Sequence, residues 1–139
     1  MVILLSLIAS MRAAMTRSFD LDRRFYRSLA LAASVVLAAT IAYLSLASSS
    51  GIPQVVWWDK AQHFVAYASL GLPLAIALGR ARWRSAIAIA VAYGAIMEVA
   101  QGTLTTGRVA DFYDAIANTC GACAGVATGY MLLGVLRGR

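Results

Sequence analysis

Residues 85–104, SAIAIAVAYGAIMEVAQGTL, decide the fold class of this chain. A helix crosses the roughly 30 Å hydrocarbon core of a bilayer in about 20 mostly apolar residues, and this stretch has that length. Glu98 is the only charged residue in it. Because a charge at membrane depth is costly unless it finds a partner, we expect Glu98 to face the inside of a helix bundle.

Three further stretches of the chain, residues 28–46, 60–78 and 111–136, are similarly long and apolar. The whole chain is 61% hydrophobic and 13% charged, whereas soluble domains are roughly 45–50% apolar and roughly 25% charged. The sequence therefore predicts an all-α integral membrane protein built as a four-helix bundle. No linker divides it, so we expect a single membrane domain over residues 28–139.

Residues 1–27 form a basic arm before the first predicted span, cytoplasmic or lying at the membrane interface. Its apolar run, residues 1–10, is too short to span, and Arg12 and Arg17 follow it rather than precede it, which is not typical of a signal peptide. The run is either a short interfacial helix or the product of an upstream start codon, with Met11 or Met15 as the alternative start.

The distribution of positive charge predicts the orientation. Arginines gather before the first span, between the second and third, and at the C-terminus, and positively charged loops stay in the cytoplasm. We therefore expect both termini in the cytoplasm of a bacterial inner membrane. The net charge of +6 reflects this topology, so we expect no nucleic-acid partner. The arginines in question are Arg12, Arg17, Arg23, Arg24, Arg27, Arg80, Arg82, Arg84, Arg137 and Arg139.

Polar residues gather where the predicted helices meet the opposite, extracytoplasmic face. Residues three or four apart share one face of a helix, and short outer loops bring three helix ends together. We expect a binding site there, although a purely structural polar plug is the alternative. The candidate ligand-binding residues are Asp59, Lys60, His63 and Tyr67, then Glu98, Gln101 and Arg108, and finally Asp111, Asp114 and Asn118.

Two small-residue patterns lie in the fourth predicted helix. Gly121, Gly125 and Gly129 recur every fourth position, which favours close helix packing within the chain over dimerisation. Cys120 and Cys123 have the spacing of a redox motif but lie in an apolar helix without an activating environment, so we expect them to be packing residues.

Three separate motifs resemble the VanZ-like family of membrane proteins, named for a member associated with teicoplanin resistance, a glycopeptide-resistance trait. They are Asp59-Lys60-x-x-His63-Phe64, Glu98-x-x-Gln101, and Gly107-Arg108 with Asp111, Asp114, Asn118 and Gly121. The resemblance covers about the last two-thirds of the chain. It implies a cell-envelope role and places the polar residues at the family's shared positions, but it does not supply a reaction.

Three functions remain open from the sequence. The favoured one is binding or handling of an anionic envelope lipid, phosphorylated or glycosylated, with Lys60 and Arg108 on the phosphate. A hydrolase or transferase is the second, with catalytic candidates His63, Glu98 and Asp114. For it, a divalent metal is possible on Asp59, His63, Glu98 and Asp114, although the sequence predicts no cofactor firmly. The third is an accessory subunit that docks other envelope membrane proteins.

Overall fold

The computed structural model describes residues 2–47, 56–104 and 111–137, with side chains for 23–47, 58–104 and 111–135. Four α-helices account for almost all of these residues: α1 (Val2–Leu46), α2 (Val56–Leu78), α3 (Trp83–Leu104) and α4 (Phe112–Arg137). Each contains a segment long and apolar enough to cross a membrane. The prediction of an all-α membrane protein with four spanning helices is confirmed.

The helix ends agree closely with the predicted segments at the C-terminal side of α1, α2 and α3. The largest difference is at the start of α1, which begins at Val2 rather than Ser28. No glycine or proline interrupts residues 2–46, so nothing in the local sequence ends a helix there. The expected short separate helix in residues 1–10 is therefore part of α1, while the domain boundary at residues 27 and 28 stays a prediction.

The outer surface of the bundle is apolar, and several polar side chains are buried inside it. Large apolar side chains such as Val36, Ile96 and Met131 are exposed on its outer surface. In contrast, Glu98, Asp114 and Asn118 are at most 7% exposed. This inversion suits a hydrocarbon solvent, where polar groups must find partners inside the protein.

Helices α2 and α4 pack with their backbones in close approach. A Cβ atom added at Gly121 or Gly125 would overlap the carbonyl oxygen of Phe64 or Ala68, and one at Gly129 would lie 2.7 Å from the Leu72 oxygen. The three glycines thus face α2 at three successive turns, as predicted for packing within the chain. This glycine seam fixes the position of α4 against α2 below the polar residues.

The arginines of the described residues gather at one end of the bundle, here called the basic end. Gly79 has a φ of 80°, a left-handed conformation that glycine adopts readily when it ends a helix. Next to this turn the Arg27 guanidinium donates hydrogen bonds to the Ala77 and Leu78 carbonyl oxygens at 2.7 and 3.2 Å. Arg80 lies over the Tyr130 ring at 4.0 Å. The charge of Arg27 is thus stabilised by the C-terminus of α2, and that of Arg80 by an aromatic face.

Candidate functional site

The opposite end, here called the polar end, is organised around the first turn of α4. Asp111 precedes the helix, and its Oδ1 accepts a hydrogen bond from the Tyr113 amide at 2.8 Å, which caps the N-terminus. The Lys60 ammonium on α2 forms ion pairs with both Asp111 and Asp114. This one lysine therefore ties the start of α2 to the start of α4.

A chain of hydrogen bonds crosses three helices beneath this lysine. The buried Asn118 amide on α4 donates from Nδ2 to Glu98 Oε1 on α3 at 3.1 Å. Its Oδ1 lies 3.0 Å from His63 Nδ1 on α2. Because the Asn118 oxygen can only accept, His63 Nδ1 carries the proton in this arrangement. Glu98 also accepts from the Asp111 amide at 3.4 Å, so it has two partners despite its burial.

The other imidazole nitrogen of His63 faces two carboxylates. His63 Nε2 lies 4.0 Å from Asp59 Oδ1 and 3.7 Å from Asp114 Oδ2. These separations are too long for direct hydrogen bonds. Asp59, His63 and Asp114 nevertheless each offer one ligand-type atom within 4.8 Å of the others. Glu98, the fourth predicted metal candidate, is not in this group and instead contacts the other side of the imidazole, 3.9 Å from Nδ1.

A cavity of about 420 Å³ opens beside this group, between α1 and α2. One wall is mainly apolar, from Ile41 and Leu44 beside Ser45 on α1, and the other carries Asp59 and His63 on α2. Tyr67 also lines the cavity and is 2% exposed, yet its hydroxyl has no hydrogen-bond partner among the described residues. Buried polar atoms are seldom left unpaired, which marks this hydroxyl as a candidate contact for a bound molecule.

The charge balance of the described polar end is negative. Four carboxylates, on Asp59, Glu98, Asp111 and Asp114, face one ammonium, Lys60, and one imidazole. Lys60 and the Tyr113 amide hold the pKa of the Asp111 carboxyl below its usual value. The arrangement can accept hydrogen bonds from hydroxyl groups or hold a cation, and Lys60 is already engaged by two carboxylates.

The structure brings together nearly all of the predicted site residues that it describes. Gln101 is buried on α3 and donates a hydrogen bond from Nε2 to the Ser45 carbonyl oxygen on α1 at 3.2 Å. Arg108 lies outside the described residues, so its predicted role is not addressed by the geometry. Sequence reasoning missed the cavity-lining residues Ile41 and Leu44, because nothing in the pattern of an apolar helix singles out which of its side chains meets a neighbour.

The two cysteines of α4 differ from the expectation. Both are unpaired and exposed on the outer face of the bundle rather than packed inside it. The helix turns its glycines toward α2. Cys120 comes one residue before Gly121 and Cys123 two residues after it, so their side chains point in other directions.

The comparisons with known proteins agree with the motifs. No curated protein and no solved structure matches this chain. The family model described as VanZ/LLP1 matches residues 1–134, which includes α1 as well as the part that carries the motifs. The match covers nearly the whole chain, and the sequence resemblance is confirmed: this membrane protein belongs to the VanZ/LLP1 family.

Proposed function

We propose that the protein binds the polar headgroup of an envelope lipid in the cavity between α1 and α2. The observation that carries this proposal is the mixed lining of that cavity. Helix α1 contributes the apolar Ile41 and Leu44 with one serine, and α2 contributes the polar Asp59, Gln62 and His63 with one alanine and one tyrosine. A lipid has the same division between chain and headgroup. Small-molecule pockets typically combine an apolar lining with a few polar groups that fix the orientation of the ligand.

The chemistry of the polar wall favours a hydroxyl-rich, glycosylated headgroup. The Asp59 carboxylate accepts hydrogen bonds from sugar hydroxyls, and the Gln62 amide both donates and accepts. A bare phosphate is less suited, because carboxylates outnumber cations here and Lys60 is held by Asp111 and Asp114. A phosphorylated headgroup would need a further cation, which Arg108 or a bound metal ion would supply.

The proposed location is the extracytoplasmic side of a bacterial cytoplasmic membrane. The support is the separation of charge along the bundle. Arg27 and Arg80 lie at the basic end, whereas the four carboxylates of the site lie at the polar end. Basic segments stay in the cytoplasm, which turns the polar end outward and leaves both termini inside. The lipid would then enter from the outer leaflet, sideways between α1 and α2.

Native mass spectrometry of the gently extracted protein tests the lipid proposal. We expect wild type to retain a lipid with a glycosylated headgroup and Ala66→Leu, which fills the cavity, to lose it. Ala61→Leu is the matched control, since residue 61 lies on the exposed side of the same helix. A folded wild type without lipid, or equal retention by both variants, would contradict the proposal.

Glu98→Gln separates a binding site from a polar plug. The amide keeps the shape of the carboxylate and can still accept from Asn118, so a site loses affinity while the protein accumulates normally. Loss of the protein itself from the membrane would favour a purely structural role for Glu98.

A second candidate, hydrolysis or group transfer on the same headgroup, is favoured by one observation. Glu98 and Asn118 orient the His63 ring, as a third group orients a general base in many enzymes. Incubating extracted envelope lipids with wild type and His63→Gln in matched membranes tests it. Product formed by wild type and not by the variant supports an enzyme, whereas unchanged lipids in both samples contradict it.

A further inference from the structure

The group formed by Asp59, His63 and Asp114 has the donor atoms of a metal site. The His63 Nε2 atom lies between two carboxylates, at 4.0 and 3.7 Å, without a hydrogen bond to either. Ligand atoms on a tetrahedral ion with bonds of about 2.0–2.1 Å lie about 3.4 Å apart. Small side-chain movements would therefore bring all three atoms onto one ion.

The imidazole is prepared for such an ion by its neighbours. Asn118 Oδ1 accepts a hydrogen bond from His63 Nδ1, and Nδ2 of the same amide donates a hydrogen bond to Glu98 Oε1. The lone pair of a neutral ring is then on Nε2, the nitrogen that faces Asp59 and Asp114. Histidines that bind metals are held in this way, through a hydrogen bond from their other ring nitrogen.

Two observations independent of these hydrogen bonds point to a bound species. The Tyr67 hydroxyl, in a residue that is 2% exposed, has no partner among the described residues and lines the same cavity as Asp59 and His63. In addition, Asp59 forms no ion pair with a lysine or arginine among the described residues. Its one ion-pair contact among them is with His63. Uncompensated negative charge thus lies in the group itself, and a residue with an unsatisfied polar atom lines the cavity beside it.

We infer that Asp59, His63 and Asp114 bind one divalent transition-metal ion, of which Zn²⁺ is the best fit. The imidazole nitrogen favours such an ion over Mg²⁺ or Ca²⁺, which prefer all-oxygen sites. Three protein ligands leave at least one position for water or another ligand, as in catalytic rather than structural zinc sites. This inference does not rest on lipid binding, because all three metal ligands are side chains of the protein.

Calorimetric titration of the metal-free, full-length protein with zinc chloride tests the inference. We expect one ion per wild-type chain and a loss of affinity of at least about tenfold for Asp59→Asn and His63→Gln. The matched control is Asp111→Asn. It removes a carboxylate that contacts the same Lys60 but is not a ligand, and we expect a change within about fivefold.

The outcomes distinguish coordination by these three residues from non-specific attraction of the ion to negative charge. No binding by wild type, or equal weakening by Asp111→Asn and Asp59→Asn, would overturn the inference. Zinc should also raise the melting temperature of wild type and leave that of His63→Gln unchanged, which keeps the test valid if a variant is less stable.

X-ray absorption of the zinc-bound wild type provides a readout that needs no variant. Nitrogen and oxygen ligands at about 2.0–2.2 Å with imidazole scattering support the site, whereas sulfur ligands at about 2.3 Å would assign the ion to Cys120 and Cys123 instead. None of these results depends on whether lipid is retained in the mass-spectrometry experiment, so the two proposals fail separately.

Discussion

Helix α2 meets α4 and α1 in opposite ways. Toward α4 it packs backbone against backbone, with the Phe64 and Ala68 carbonyls directly opposite Gly121 and Gly125. Toward α1 it leaves a cavity of about 420 Å³, lined mainly by polar side chains on α2 and mainly by apolar ones on α1. We call these the closed face and the open face of α2.

The difference shows how a small bundle can be both rigid and able to bind. The closed face places α4 so that Asp114 and Asn118 each face one of the two ring nitrogens of His63. The open face then presents His63 and Asp59 to the cavity without needing α1 to hold them. Preorganisation comes from one interface and space for a ligand from the other, so variants on the two faces should fail differently.

The largest effect is expected for Gly125→Ala on the closed face. The new methyl group would overlap backbone atoms of Ala68, which cannot rotate away, so the two helices must separate. We expect a loss of stability at or above the roughly 1–3 kcal/mol typical of overpacking. Thermal unfolding in detergent and the amount of protein in the membrane measure it.

Gly134→Ala is the control for that substitution. It is the same chemical change in the same helix, but the new Cβ would lie 3.1 Å from the tip of the flexible Arg80 side chain. Alanine favours helix by about 1 kcal/mol over glycine, so this variant should be at least as stable as wild type. If both variants melt at the wild-type temperature, α2 and α4 do not pack as described.

A smaller but more specific effect is expected for Asn118→Leu. The side chains are similar in size, but leucine leaves His63 Nδ1 and Glu98 Oε1 without their shared partner. A buried polar group without its partner costs about 1–3 kcal/mol. We expect a lower melting temperature together with loss of zinc binding, because the imidazole is no longer held.

Thr119→Val is the matched control on the next residue of α4. Its hydroxyl donates only within the helix, to the Ala115 carbonyl oxygen at 2.8 Å, so its removal leaves no group of another helix unpaired. The variant should keep zinc binding and nearly wild-type stability. Equal losses in both variants would mean that the hydrogen bonds across the three helices do not set the geometry of the open face.

Much of this arrangement follows from the sequence. The hydrophobic stretches predict the four helices because spanning length is set by the bilayer, and the i, i+4 spacing of Asp59 and His63 predicts their shared face. The glycine seam also follows from its spacing. What the sequence does not specify is the pairing: Lys60 was expected to meet phosphate but lies between two aspartates. Which partner a long side chain takes depends on distances between helices, and no sequence pattern encodes those.

The smallest effect on stability is expected from the ion pair between Lys60 and Asp111. Its contribution to stability depends on pH. Lys60 and the Tyr113 amide lower the pKa of the Asp111 carboxyl, so the folded protein keeps that group charged at a lower pH than the unfolded chain does. The resulting stabilisation is fully present above the ordinary aspartate pKa of about 3.9. It disappears as the pH falls through the lower pKa of the folded state.

Asp111→Asn should therefore melt slightly below wild type near neutral pH, and the gap should close in acid. Comparing the two proteins at each pH isolates the contribution of Asp111, because every other group at the polar end is present in both. The effect is small because the Asp111 side chain is 40% exposed. A gap that stays constant as the pH falls far below the ordinary aspartate pKa would mean that Asp111 does not stabilise the protein through its charge beside Lys60. In that case Lys60 would hold α4 to the closed face through Asp114 alone.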